Sequence, residues 1–469
     1  MFETLEENLS TLRFPAPRRI GDCEVFEAVD DSSPDPDEHI YSCVALCRRN
    51  WGGGWPALGG TRLYQGAQRA SHGARQQAAL HEAVELAEAM YLKNSLLRRA
   101  EECLPPDETE ARGLFGWQGG KGVVWTPHKP ELTAAANRRR FLTPRRLLCH
   151  GLLLQRLAGE YIGSKDMGVG SRELKWMEFA TRFTIGNGCL RDTGEATAAG
   201  VVAGLRQAVI ELRALGELAA GPGGRKQPLG ALPILVIGAG KVGLPLLADL
   251  DLNEGAEVWI YDWAFEKGDL RDRIEVLVSK AAEDVRDTYR QVLRRLHAAG
   301  RILTSEADAL ALSNVAVLSP NGGSTGWLSS APKGGEEKRS RARILADGVA
   351  AGGKLRLVLG AGNDQVPISD AGETARRAAL DDLTSERIWF VPDPLVSPGG
   401  VIAVSHELAP QWKPEAVDAD ARSIVTVGVQ EIFRRYGVLE GEEKGSTDAL
   451  WRCFLDMVES PWSLASEGF

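Results

Sequence analysis

The chain has 469 residues, with 55 Lys and Arg against 64 Asp and Glu, for a formal charge of −9. That length allows two or three domains at ~100–200 residues each. The mild acidity excludes the concentrated basic surface that a nucleic acid or an anionic membrane would require. Seven scattered cysteines, an odd number, point to a reducing, cytoplasmic compartment. Cys43 and Cys47 lack a downstream Cys/His pair, so no metal site is expected. The acidic N-terminus is unlike a signal peptide, and no uncharged apolar run approaches the ~20 residues of a membrane span.

The front half reads as mixed α/β. Tyr41–Arg49 and Gly122–Trp125 are short β-prone runs, and residues 76–92 carry Ala79, Ala83, Leu86, Ala87 and Met90 at helical spacing. The polar, proline-bearing stretch from Ser95 to Trp117 reads as an inserted surface excursion. The arginines at 138–140 and 145–146 read as a solvated helix face, and Pro144 is placed to open a helix through Leu147, Leu148, Leu152 and Leu157.

The back half has a different rhythm. Apolar runs at 232–237, 257–261, 315–318, 355–359 and 388–391 each end in small or polar residues, with helical patterns between them. Strands buried on both faces of a parallel sheet read this way, and ligands then sit at their carboxyl ends. Gly221–Lys226 reads as a hinge or loop, Asp272–His297 as one long helix, and Ser329–Arg343 as an exposed polar segment.

One run carries a nucleotide signal. Gly238-Ala-Gly240-Lys241-Val242-Gly243 follows a strand and opens a helix, the setting a G-x-G-x-x-G fingerprint requires. The first glycine permits a tight turn, the second admits a pyrophosphate, and the third lets helix and strand pack. A second strand ends at Asp262, where a carboxylate can accept from ribose hydroxyls and would repel a 2′-phosphate, favouring NAD over NADP. Gly119-Gly120-Lys121-Gly122 lacks the spacing and the following Ser/Thr of a P-loop, so NTPase chemistry is not expected.

The order of several further segments is more specific than any one of them. Leu58-Gly59-Gly60, Lys93, Gly119-Gly120-Lys121, Asp166-Met-Gly168 and Glu195-Ala-Thr197-Ala-Ala-Gly200 precede the dinucleotide motif. Gly360-Ala-Gly-Asn363-Asp-Gln365 and Pro392-Asp393-Pro-Leu-Val-Ser397-Pro-Gly399-Gly400 follow it. Over roughly residues 40 to 410 this series resembles the amino-acid dehydrogenases that act on glutamate, leucine, phenylalanine and valine, most of all the leucine/phenylalanine/valine branch.

That resemblance implies an α/β architecture of two domains around a cleft. An N-terminal α/β substrate and dimerisation domain (1–194) would be followed by a doubly wound Rossmann NAD-binding domain (195–406). C-terminal helices (407–469) would return to the first domain. It implies NAD-dependent, reversible oxidative deamination of an L-amino acid to a 2-oxo acid and ammonia by a homo-oligomer. Lys93 would hold the substrate carboxylate, Lys121 would be the catalytic lysine, and Asp166 would exchange protons with ammonia. Gly59 and Gly60 would let the amino acid lie against backbone, with Leu58 beside them making the pocket apolar. Thr197 and Asn363 would face the nicotinamide and its ribose. Ser397 stands where the leucine/phenylalanine branch usually carries asparagine. Two alternatives stay open: a specialised enzyme of reductive amination or condensation, and an NAD-binding scaffold or regulator without turnover.

Overall fold

The computed structural model describes residues 10–49, 55–65, 72–104, 115–129, 131–132, 134–188, 191–219, 227–266, 268–321, 326–332, 338–362, 365–368, 372–408, 413–439, 449–460 and 462. The chain forms two compact units. One comprises Met1–Ser95, Gly113–Cys189 and Val404–Ala409; the other comprises Leu96–Arg112, Leu190–Ala403 and Pro410–Phe469. The expected hinge at Gly221–Lys226 lies outside the described residues, as does Asn363.

The first unit is built on a six-stranded sheet in the order β1-β2-β3-β5-β4-β6. Its strands are β1 (Arg18–Ile20), β2 (Cys23–Asp30), β3 (Ile40–Cys47), β4 (Ala57–Gln65), β5 (Gln118–Thr126) and β6 (Tyr161–Lys165). β1, β2, β3 and β5 pair antiparallel, whereas β4 runs parallel to both β5 and β6. Alternation sends Leu58, Gly60, Arg62, Lys121 and Val123 to one face and Ala57, Thr61, Gly120, Gly122 and Tyr161 to the other.

Helix α1 (His72–Cys103) covers the first face, close enough that a Cβ on Gly119 would fall 2.5 Å from the Ala87 carbonyl. The other face is covered by α3 (Pro144–Arg156) and α4 (Ser171–Glu178), with α2 (Ala134–Phe141) preceding them. Leu153, Leu154 and Leu157 pack on Val44, Leu46 and Tyr161, while Leu147, Leu174 and Met177 pack on Val124. Pro144 opens α3 at its first turn behind Thr143, whose hydroxyl caps the Arg146 N–H.

Two expectations are corrected here. The surface excursion does not begin at Ser95: α1 continues to Cys103, and Leu96, Leu97 and Ala100 are buried, extending the apolar stripe of Leu92. Nor is Arg146 solvated. It is buried, and its guanidinium donates to the carbonyls of Asp37, His39 and Phe141. Burial pushes it down to about 10, and the carbonyl oxygens accept its N–H groups.

The second unit carries a parallel sheet in the order β12-β11-β10-β7-β8-β9. The strands are β7 (Pro233–Ile237), β8 (Glu257–Tyr261), β9 (Ile302–Leu303), β10 (Val317–Pro320), β11 (Leu357–Val358) and β12 (Trp389–Phe390). Its helices are α5 (Thr193–Ala214), α6 (Gly243–Leu252), α7 (Leu270–Val278), α8 (Arg286–Ala298), α9 (Glu306–Leu310), α10 (Arg341–Ala350) and α11 (Glu373–Ser385). They continue with α12 (Asp393–Val396), α13 (Gly399–His406), α14 (Pro414–Val438) and α15 (Ala449–Glu459), the residues of α13 from Val404 onward being counted with the first unit.

The five apolar runs all enter this sheet. Residues 272–297 do not form a single helix. α7 ends at Val278, a 3₁₀ turn follows at Glu283–Val285, and α8 then begins. Ala281 makes the break: its N–H bonds back to Val278, and its carbonyl accepts from the Arg286 guanidinium. The polar segment at 329–343 is not wholly exposed either, because Arg341 is buried against Glu306 and the carbonyls of Trp327, Ser330 and Ala331. Among the described residues no helix is long and apolar enough to cross a membrane.

Candidate active site

In the first unit the Lys121 ammonium and the Asp166 carboxylate form a direct ion pair. The partners come from β5 and from the residue that follows β6, two strands that both flank β4. The face they occupy also presents Arg62 of β4, whose Nε lies 3.1 Å from the same Asp166 oxygen and whose Nη1 lies 2.9 Å from Glu82 of α1. Four charges thus alternate along one line, the two cations buried and the two carboxylates half-buried: Lys121, Asp166, Arg62, Glu82.

The electrostatics follow from that geometry. Burial pushes the Asp166 carboxyl upward, but Lys121 and then Arg62 overcome it and hold the group well below the ordinary carboxylate range. Burial lowers the Lys121 ammonium; Asp166 opposes the shift and Arg62 reinforces it, leaving a lysine below its ordinary value. A lysine held this way can take and return a proton near neutral pH more readily than a solvated one.

Leu58, Gly59 and Gly60 lie on β4 beside this pair. A Cβ on Gly60 would fall 2.5 Å from that of Asp166, and a Cβ on Gly59 would fall 1.8 Å from the Gly120 carbonyl oxygen. Both positions therefore need glycine for close approach within the protein itself. Lys93 is half-buried on α1. The next residue, Asn94, donates to the Gln118 carbonyl at 2.8 Å and so fixes that turn of helix against the start of β5.

Sequence reasoning passed over Arg62 and Glu82. The signal available was Arg62 itself, which follows the glycine pair by two residues and so shares its strand face with Gly60.

In the second unit the glycine loop joins β7 to α6. Gly238 has φ +96, the left-handed region that favours glycine, and a Cβ on Gly243 would fall 1.7 Å from the Gly238 carbonyl oxygen. Gly240 is the opposite case: a Cβ there meets nothing within 4 Å. No side chain caps the start of α6, so its first amides are available to an anion. Val242 holds that N-cap position, and the exposed Lys241 reaches Thr193 and Asp192 at the start of α5.

Asp262 directly follows β8, and its two oxygens accept from the Ala239 and Ala264 N–H groups at 2.7 and 2.8 Å. It therefore ties the loop to β8, and its remaining lone pairs can still accept from hydroxyls. A cavity of about 310 Å³ opens here, lined by Gly240, Asp262, Trp263, Lys280 and Tyr289 among others. An open glycine, uncapped amides and a carboxylate on one cavity fit a dinucleotide.

Thr197 and Ser397 also come together in this unit. Thr197 donates to the Thr193 carbonyl, and Gly399 and Gly400 press the loop after Ser397 onto Ala196 and Thr197. The Ser397 hydroxyl is buried and has no partner among the described residues, so it is available to a bound group. No described His, Cys, Asp or Glu cluster has the arrangement of a metal centre.

No protein-family model matches the chain. Valine dehydrogenase of Streptomyces coelicolor is 26% identical over 358 residues, covering 75% of this chain and 72% of the relative. The Streptomyces albus valine dehydrogenase is 25% identical over the same shares. Among solved structures, L-tryptophan dehydrogenase from Nostoc punctiforme has a TM-score of 0.52 at 17% identity, covering 98% of both chains. A hetero-hexameric glutamate dehydrogenase from Thermus thermophilus has a TM-score of 0.55 at 17% identity, covering 98% of this chain and 94% of its own. The likeness to these two is one of fold.

Proposed function

We propose that the chain is an amino-acid dehydrogenase, like the two valine dehydrogenases to which it is 25–26% identical, and that it catalyses NAD-dependent, reversible oxidative deamination of an apolar L-amino acid. The amino acid, NAD⁺ and water give the 2-oxo acid, ammonium and NADH with release of one proton. The direct ion pair between Asp166 and the buried Lys121 carries the reading. A bound nicotinamide supplies the hydride acceptor.

Lys93 binds the substrate carboxylate as a fixed cation. Asp166 takes the proton that leaves the substrate ammonium. Lys121, neutral when it acts, removes a proton from the water that attacks the iminium carbon; in the aminating direction it donates to the carbonyl oxygen. Gly238, Gly240 and Gly243, with Lys241 and Val242, cradle the pyrophosphate, and Asp262 receives the ribose hydroxyls. Thr197 and Asn363 serve the nicotinamide end, and Ser397 serves the substrate at its amino group.

An apolar side chain suits Leu58, which is nearly fully buried beside the glycine pair. Arg62, the additional cation on that face, is committed to Asp166 and Glu82. The valine dehydrogenase relatives favour the same side-chain class. The reading also takes the chain as a cytoplasmic homo-oligomer, consistent with six described cysteines that are all buried thiols.

The test is purified protein with NAD and a panel of L-amino acids, followed by the growth of reduced-nicotinamide absorbance. An apolar amino acid is expected to give signal, and the matching 2-oxo acid with ammonium and NADH should reverse it. No signal with any amino acid in either direction rejects the proposal.

A further inference from the structure

The backbone that carries Lys121 is held unevenly. On its β3 side the pairing is continuous, with Ala45 opposite Lys121 and Leu46 opposite Gly120. On its β4 side the pairing runs through Ala57–Gln118 and Leu58–Gly119, then resumes only at Thr61–Gly122. Gly59 and Gly60 are skipped there, although both pair without interruption with β6 on their other side. The ladder is thus open where the lysine sits.

One hydroxyl bridges the opening. Tyr161 of β6 is fully buried; its Oη accepts the Gly122 N–H at 2.9 Å and donates to the Gly59 carbonyl at 2.6 Å. The ring reaches this position only because Gly120 has no side chain, since a Cβ there would lie 2.8 Å from the ring. On the same face His150 closes over Gly122, its Nε2 within 3.1 Å of the Thr61 hydroxyl. A Cβ on Gly122 would fall 2.9 Å from that nitrogen. Tyr161 and Lys121 therefore occupy opposite faces of the sheet, joined through a single peptide.

We propose that Tyr161 is a positioning residue for Lys121: its hydroxyl replaces the missing rungs between β4 and β5 and so sets where the lysine meets Asp166. The proposal deepens the deaminase reading by naming what holds its acid–base group. Without the hydroxyl, the Gly122 N–H and the Gly59 carbonyl lose their bridging partner inside the sheet. The strand then settles differently against β4, and a displacement near 1 Å at a reacting group costs up to ~10²-fold in rate.

The test is Tyr161→Phe, which deletes one oxygen. Tyr41→Phe is the control, since that buried hydroxyl donates to Glu27 elsewhere in the same sheet. The pH midpoint of Lys121 acylation by an amine-reactive ester, read by peptide mass spectrometry, reports the lysine's surroundings without requiring turnover. Tyr161→Phe is expected to move that midpoint by about half a pH unit or more and to lower kcat by ~10- to 100-fold, with the KM for the nicotinamide cofactor within about twofold. Tyr41→Phe is expected to lower the melting temperature alone. If Tyr161→Phe lowers the melting temperature but leaves midpoint and kcat as in the unaltered protein, the proposal is overturned. Should that variant not fold, amide exchange in the unaltered protein decides: slow exchange at Gly122 is expected, and exchange at the rate of an unbonded amide overturns the proposal. If the unaltered protein dehydrogenates no amino acid, the function fails, yet the labelling midpoint still judges this inference.

Discussion

Replacing Arg62 with methionine tests the charge line behind the catalytic reading. Arg62 is almost fully buried and is bonded to both Asp166 and Glu82. Its Nε and the Lys121 ammonium touch the same Asp166 oxygen, so the two cations lie about 5 Å apart. At an effective dielectric of ~20 their repulsion is about 3 kcal/mol. Removing it raises the Lys121 pKa from its depressed position, since Arg62 is one of the groups holding it down. Deamination needs the neutral lysine, so the alkaline-rising limb of kcat/KM should move to higher pH. At a fixed pH below that limb the rate should fall ~10- to 100-fold, about what ~1.4–2.8 kcal/mol of lost repulsion delivers. Stability should fall by ~3–5 kcal/mol, because two carboxylates are left with one cation. The assay is the pH profile of NADH formation alongside urea unfolding. A folded Arg62→Met protein with an unmoved limb would refute the coupling.

Other substitutions separate the roles. Lys121→Ala should abolish turnover while NADH titration by fluorescence stays within about threefold of the unaltered protein; loss of cofactor binding would contradict its assignment. Gly240→Ala should leave the melting temperature unchanged or slightly raised, since its Cβ meets open space, yet weaken NADH binding ~10-fold or more; unchanged affinity would remove the pyrophosphate from that loop. Asp262→Asn should raise the ratio of NADP to NAD use, read as kcat/KM for each cofactor, and an unaltered ratio would count against the ribose assignment. His150 is buried, and burial holds it down to about 3 from an ordinary 6.5. The unfolded chain therefore binds a proton that the native one refuses as pH falls below 6.5. Stability is full above that value and should be about 3 kcal/mol lower at pH ~4.5. His150→Gln should flatten this slope in urea unfolding, and an identical slope would show that other groups set it.

Which features could be read in advance depended on how far apart in the chain their parts lie. Gly238, Gly243 and Asp262 were legible because strand, turn, helix and second strand are consecutive, and each glycine answers a local demand. Lys121 and Asp166 lie 45 positions apart, and only likeness to a known series suggested joining them. Arg62 escaped because its partners depend on the order β5-β4-β6, which no local pattern encodes. The apolar spacing from Ile274 to Leu296 keeps helical period across the turn after Val278, with no glycine or proline to mark it. β9 has two residues, too few to show alternation. Arg146 and Arg341 were misread for a common reason: composition counts an arginine as surface, whereas a guanidinium meeting several carbonyl oxygens can be covered.

The crowding at Gly59, Gly60 and Gly120 bears on how this enzyme could be re-engineered. A library aimed at new side-chain specificity gains nothing from these codons, since every replacement must first push strand backbone, the Asp166 side chain or the Tyr161 ring aside. Leu58, on the same strand and already carrying a side chain beside the glycine pair, is the residue that the proposed function would have randomised, with selection for growth on bulkier or smaller amino acids.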